Sequence, residues 1–155
     1  MRPITIAILS LGLAAVLPAA DNSLGTWKRN ISKTKTLTPA ANPVKSYSMV
    51  REAAGNGVKT TVNGERADGS KIQSSYTLKY DGVPVPVTGD SPFDKYAMKQ
   101  IDANTFTTEA WNSRNKYHTK GKTVVSKDGK TLTATFEGTD VDGKPLKTTV
   151  VSERQ

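Results

Sequence analysis

Apolar and polar side chains alternate along several stretches of the chain. In residues 71–80 and 131–137, every second position carries one of the residues Ile72, Ser74, Tyr76, Leu78, Tyr80, Leu132, Ala134 and Phe136. The positions between them are occupied by Lys, Gln, Ser, Thr and Glu. A period of two places the two sets on opposite faces of a β-strand. Both stretches therefore predict strands with one buried face and one solvated face.

Turn dipeptides divide the chain from Val44 onward into short runs. Asn-Gly or Asp-Gly stands at 56–57, 68–69, 81–82, 128–129 and 142–143, and weaker turns lie at 103–104 and 113–115. These dipeptides tolerate positive φ and suit tight hairpins. The pattern predicts an all-β, antiparallel up-and-down meander of eight to ten strands, at 24–31, 44–54, 58–66, 71–80, 83–88, 94–101, 105–112, 117–126, 131–138 and 145–153.

Such a meander can remain an open sheet, pack as a sandwich or close into a barrel. Closure removes the exposed edges that a long Thr/Val-rich sheet presents for aggregation, so we favour a closed or nearly closed barrel. Pro84 and Pro86 both lack the N–H donor on one edge of strand 83–88, which predicts that this strand borders a seam. The segment from Ser32 to Val44 contains two prolines and no helical pattern, and it predicts a loop at one end of the barrel.

The first twenty residues have the three-part layout of a secretory signal peptide. Arg2 is followed by an apolar run from Ile4 to Leu17 and then by small residues. The run is shorter than the roughly 20 residues that a membrane span requires. We expect cleavage after Ala20, with an uncleaved anchor as the alternative, and a secreted or periplasmic location. The remaining chain, 21–155, has the size of one domain.

The chain carries a formal net charge of +8 and no cysteine. It therefore has no disulfide, no thiolate nucleophile and no sulfur ligand for a metal. A positive surface suits anionic partners, such as an anionic surface of the cell envelope. The lysines are spread along the chain, so solubility explains the charge more simply. Because we expect export, we do not expect a nucleic-acid partner, and we expect a monomer.

A short motif opens the first predicted strand. It reads Gly25-Thr26-Trp27-Lys28, and the chain closes with KTTVVSERQ. With the up-and-down meander, these segments resemble the calycin superfamily of lipocalins and fatty-acid-binding proteins. The resemblance implies a lipocalin-like barrel in which Gly25 and Trp27 open the first strand, Trp27 plugs the closed end, and Arg154 packs on the indole. A guanidinium over an indole face contributes about 0.5–2 kcal/mol, depending on burial.

The chain departs from this family at two places. Fatty-acid-binding proteins usually carry Arg-x-Tyr in the last strand to hold a carboxylate, and the matching positions here are Val150 and Ser152. Their helical lid is replaced by the Pro-containing loop. A carboxylate that enters an apolar barrel without a cation pays a desolvation cost of several kcal/mol. We therefore predict that a neutral or amphipathic guest binds better than a free fatty acid.

The expected function is non-catalytic binding of a small apolar or amphipathic molecule inside the barrel. The residues that we expect to line the cavity are Tyr47, Met49, Tyr76, Leu78, Met98, Phe106 and Phe136. The alternative is a filled barrel that serves the cell envelope as a structural or surface-binding module. The many Thr, Ser and Lys residues at outward positions favour that alternative.

Residues with catalytic or metal-binding chemistry are sparse. His118 is the only histidine, which excludes a two-histidine relay or metal cluster. The stretch DVDGK at 140–144 resembles the start of a calcium loop, but Lys144 and Val151 stand where ligands are needed. The carboxylates lie on different predicted strands and turns. We therefore expect no enzyme activity, no catalytic residue, no metal and no cofactor.

Overall fold

The computed structural model describes residues 20–37 and 40–155, and all regular elements in these ranges are β-strands. Residues 1–19 of the predicted signal peptide lie outside the described residues. The strands are β1 Gly25–Arg29, β2 Lys35–Thr36, β3 Val44–Ala54, β4 Gly57–Arg66, β5 Lys71–Leu78, β6 Val85–Pro86, β7 Thr88–Gly89, β8 Lys95–Gln100, β9 Thr105–Trp111, β10 His118–Val125, β11 Thr131–Thr139 and β12 Pro145–Arg154. No helix within the described ranges is suited to cross a membrane.

The strands form one antiparallel sheet in the order β6-β8-β9-β10-β11-β12-β1-β3-β4-β5-β7. Strand β1 joins the last strand to β3, because Trp27 pairs with Arg154 on one side and with Met49 on the other. The remaining long strands pair with their neighbours in sequence. This confirms the all-β, nearly closed up-and-down barrel. The described residues contain twelve strands, which is more than the predicted eight to ten because three strands have only two residues.

The barrel closes at a seam between β5 and β8, which do not pair directly within the described residues. A strap, residues 81–90, crosses this seam. Its strand β6 pairs only with β8, through Val85 and Pro86. Its strand β7 pairs only with β5, through Thr88 and Gly89. The seam therefore lies beside the segment that contains Pro84 and Pro86. The predicted strand 83–88 consists of two short strands, which pair with opposite sides of the seam.

The segment predicted as a loop, Ser32 to Val44, contains one additional strand. Strand β2 pairs with β12, where Thr36 lies opposite Thr148 and Lys35 opposite Thr149. The predicted loop therefore includes a short strand. The pairing was not visible in the sequence because two residues are too few to show a period.

The inward faces of the strands form two hydrophobic clusters. The first surrounds Trp27 and consists of Trp27, Val125, Leu132, Ala134 and Val150, with Met49 and Phe136 packed against it. The second consists of Leu78, Tyr96, Met98, Phe106 and Ala110, with further aromatic residues against it. Without a disulfide, stability comes from these clusters and from the sheet hydrogen bonds.

Glu65 links three strands on the outer surface. Its carboxylate lies 2.6 Å from Lys71 Nζ on β5 and 3.0 Å from Lys45 Nζ on β3. Hydrogen bonds from Lys71 and then from Lys45 lower the pKa of Glu65 to about 2. A carboxylate in an unfolded chain has a pKa of about 4.3. The group therefore stabilises the fold above that value, and the contribution disappears as the pH falls towards 2.

We expect Glu65→Gln to reduce the loss of thermal stability at acid pH. Between pH 5 and pH 2, the Tm of the variant should fall less than the Tm of the wild type, because the variant has no carboxylate to protonate. Glu52→Gln is the control, since Glu52 is exposed on β3 and has no ion pair among the described residues. Thermal melts across this range measure both slopes. Equal slopes for Glu65→Gln and wild type would contradict the expectation.

Candidate functional site

The barrel encloses a cavity of about 480 Å³. Side chains from β1, β3, β4, β5 and β8 to β12 contribute to its wall. Exposed residues, including Ala40, Asp90 and Pro92, border its open end. Small-molecule sites commonly occupy about 300–1,000 Å³. The interior therefore has room for one small ligand.

The structure brings five of the seven predicted cavity residues to this wall. They are Tyr47, Met49, Tyr76, Met98 and Phe136. Leu78 and Phe106 do not line the cavity. They also face inward, but Tyr80 and the second cluster pack around them, and the ring centroids of Phe106 and Tyr80 are 5.0 Å apart. An inward position thus does not by itself make a residue part of the cavity.

The opening motif meets the end of the chain at the base of the barrel. Trp27 is fully buried, and its indole N–H donates to the Ser23 carbonyl at 2.8 Å. The Arg154 guanidinium carbon lies 4.3 Å from the centroid of the indole. Arg154 also donates to the Leu24 carbonyl at 2.6 Å. Gly25 adopts a φ of 121°, and a Cβ there would come within 2.5 Å of Arg154 Nη1.

Tyrosines dominate one side of the cavity. Tyr47, Tyr76, Tyr96 and Tyr117 all line it. The rings of Tyr76 and Tyr96 are 4.9 Å apart, and Phe93 lies 5.4 Å from Tyr96. Burial raises the pKa of Tyr47 to about 12 and also raises the pKa of Tyr96. The hydroxyls of Tyr47 and Tyr96 are therefore neutral at physiological pH and offer hydrogen bonds but no charge.

Arg51 is a buried cation with a complete set of partners. Its Nε donates to the Ser23 hydroxyl at 3.1 Å, and its Nη2 donates to the Tyr80 hydroxyl at 2.8 Å. Both hydroxyls in turn donate to the Asp21 carboxylate. The side chain also donates to the Thr60 hydroxyl at 3.4 Å. Two hydroxyls therefore connect Arg51 to the carboxylate of Asp21, which lies one hydrogen bond beyond them.

Arg29 is a second cation on the cavity wall, and its surroundings are different. Its Nε is fully buried and has no hydrogen-bond partner among the described residues. The guanidinium carbon lies 4.7 Å from the centroid of the Tyr47 ring. Burial lowers the pKa of Arg29, and the nearby Tyr47 opposes this effect. An arginine stays charged despite such a shift, so the wall contains a positive charge without a protein anion.

The prediction of a cavity without a buried cation is therefore wrong. Val150 and Ser152 supply no cation, but Arg29 and Arg51 do, from β1 and β3. The missed signal is the period of two, because Arg29 follows Trp27 by two positions and Arg51 follows Met49 by two. Alternation places charged residues at inward positions as readily as apolar and aromatic residues.

The one histidine lies outside the barrel. His118 Nε2 is 2.7 Å from a Glu109 carboxylate oxygen, and the imidazole stacks on Trp111 with centroids 5.7 Å apart. Lys120 Nζ is 3.6 Å from the same carboxylate oxygen. Within the described residues, no group of three or more His, Asp or Glu side chains is arranged to hold a metal. This cluster does not face the cavity.

Comparison with known proteins adds distant structural likenesses. No family model and no curated protein matches the chain. A solved structure described as "Structure of EF1p2_mFAP2b bound to DFHBI" is similar at a TM-score of 0.44 and 12% sequence identity, over 86% of this chain and 94% of that chain. The DFHBI ligand belongs to that protein. The described strands form a nearly closed antiparallel sheet.

Proposed function

We propose that this chain is a lipocalin-like protein that binds a small amphipathic molecule inside its barrel and does not act as an enzyme. The observation that carries the proposal is the cavity of about 480 Å³ with a wall of tyrosine, methionine and phenylalanine side chains. Apolar walls with a few placed polar groups are typical of ligand sites. The tyrosine hydroxyls and the arginines of the wall supply the polar groups.

The alternative, a filled barrel that uses only its outer surface, is less well supported. A filled barrel would leave no interior volume, whereas this cavity is large enough for a ligand. The basic surface is compatible with contact to an anionic envelope surface but does not distinguish the two functions. The layout of residues 1–20 supports export to a secreted or periplasmic location, where we expect a monomer.

Filling the cavity tests the proposal. Ser74 lines the cavity on β5, and Thr77 lies exposed on the same strand and outside the cavity wall. We expect wild type to bind the neutral dye N-phenyl-1-naphthylamine with increased fluorescence. Ser74→Phe should weaken binding at least tenfold because the new ring occupies ligand space. Thr77→Phe should leave binding unchanged while it adds the same apolar group.

Circular dichroism and thermal melts show whether both variants fold. Two results would overturn cavity binding: no dye binding by wild type, or equal binding by folded Ser74→Phe and wild type. The second result would place the dye on the outer surface. Because the dye is uncharged, neither result depends on the arginines of the cavity.

A further inference from the structure

We propose that Arg29 binds a single negative charge on the ligand, so that the ligand is an amphipathic monoanion such as a carboxylate. This inference rests on the proposed function of the cavity. It assigns the charge-recognition role to β1, whereas the family resemblance implies the positions of Val150 and Ser152 on the last strand.

The charge balance of the cavity wall identifies Arg29. The wall contains three arginines and one carboxylate, namely Arg29, Arg51, Arg66 and Asp90. Arg66 Nη1 lies 2.7 Å from an Asp90 carboxylate oxygen, so these two charges cancel. Each guanidinium nitrogen of Arg51 has a protein acceptor, and two of these acceptors donate to Asp21, whose carboxylate balances the charge of Arg51. One positive charge is left over, and it is on Arg29.

Arg29 is half-buried, and part of its guanidinium has lost contact with water in the ligand-free protein. The Arg29 Nε has lost its water without gaining an acceptor from the described residues. Buried charges are normally paired, because removal from water costs several kcal/mol per ion. An anionic head group would provide the missing acceptor. Uncharged hydroxyls, including that of Tyr47, cannot neutralise the guanidinium.

The surroundings of Arg29 suit a head group with an attached apolar tail. Arg29 pairs with Ser152 across the β1–β12 ladder, and Ser152 also lines the cavity. The Tyr47 ring stacks near the guanidinium on the β3 side. Two hydroxyl-bearing side chains thus flank the cation. Farther along the wall, Met49 and Phe136 provide apolar contact for a tail.

The test compares an acid with its alcohol. Dodecanoate and 1-dodecanol are titrated against N-phenyl-1-naphthylamine bound to the delipidated protein, at low and at high salt. Wild type should bind the acid at least tenfold more tightly than the alcohol at both salt concentrations, because a buried pair is weakly screened. Arg29→Met should reduce this preference to less than threefold. Arg29→Gln should do the same.

Lys28→Met is the matched control. Lys28 precedes Arg29 on β1, carries the same charge and lies exposed, and it does not line the cavity. This variant removes the same charge from the outer face, so it should retain the wild-type preference for the acid. The Tm of ligand-free Arg29→Met should be no lower than that of wild type, since the variant removes a half-buried charge that has no protein anion beside it.

Three outcomes would overturn the inference. Equal binding of acid and alcohol by wild type would overturn it while leaving cavity binding intact. An acid preference that persists in Arg29→Met would assign the charge to another cation. A large fall in the Tm of ligand-free Arg29→Met would show that the guanidinium already has a structural partner. Failure of both compounds and of the dye to bind would instead overturn the proposed function.

Discussion

Trp27→Ala should destabilise the fold by about 3–5 kcal/mol, the usual cost of truncating a large core aromatic. The indole is fully buried at the base of the barrel and contacts the first hydrophobic cluster. The substitution also removes the indole face on which Arg154 packs, where the guanidinium carbon lies 4.3 Å from the ring centroid. Denaturant unfolding followed by circular dichroism measures the loss. A free energy of unfolding equal to that of wild type would contradict a plug role for Trp27.

The second tryptophan provides the control. Trp111 is half-buried on the outer side of β9, where it stacks on His118. Trp111→Ala should cost at most about 1.5 kcal/mol, because it opens no cavity in the core. This variant also leaves Trp27 as the only tryptophan. Because Trp27 is fully buried, its fluorescence should have a short-wavelength maximum and resist quenching by iodide.

Arg51→Met should destabilise the fold by about 3–5 kcal/mol, because it removes one partner from a buried charged network. The Ser23 and Tyr80 hydroxyls would lose their donor, and the Asp21 carboxylate would lose its counter-charge. Methionine fills a similar volume, so the loss would report the polar contacts and not an empty space. Chemical denaturation of both proteins measures the difference.

Arg114→Met is the matched control for this substitution. Arg114 is exposed in the turn between β9 and β10 and makes no ion pair within the described residues. Its replacement should change stability by less than about 0.5 kcal/mol. If Arg51→Met were as stable as wild type, the network would contribute nothing, and Arg51 would become a second cation available to a ligand. The cavity wall would then contain two cations available to a ligand, Arg29 and Arg51.

The strands were predictable because two independent signals agree on them. Alternation in 71–80 fixes the buried face of β5, and the Asp-Gly turn at 128–129 fixes the hairpin of β10 and β11. The two-residue strands were not predictable, since so short a pairing has no period. Strand β2 exists because it lies against β12, a contact between residues more than a hundred positions apart.

The site was predictable only in part. Alternation identifies inward residues, but it does not say which of them are packed by a neighbour. Leu78 and Phe106 are packed in this way, whereas Tyr76 and Met98 reach the cavity. The cation was not predicted for another reason. Ser152 on the last strand carries no charge, and the positive charge lies directly opposite it, on Arg29 of the adjacent strand β1. Only the register between β1 and β12 reveals this placement.

The strap across the seam also bears on self-association. Strands β5 and β8 have eight and six residues, and an uncovered edge of that length is a template for pairing with a second molecule. The strap covers β8 through Val85 and Pro86 and covers β5 through Thr88 and Gly89. Pro84 and Pro86 offer no N–H to an incoming strand. The segment that closes the barrel thereby also protects it against edge-to-edge polymerisation.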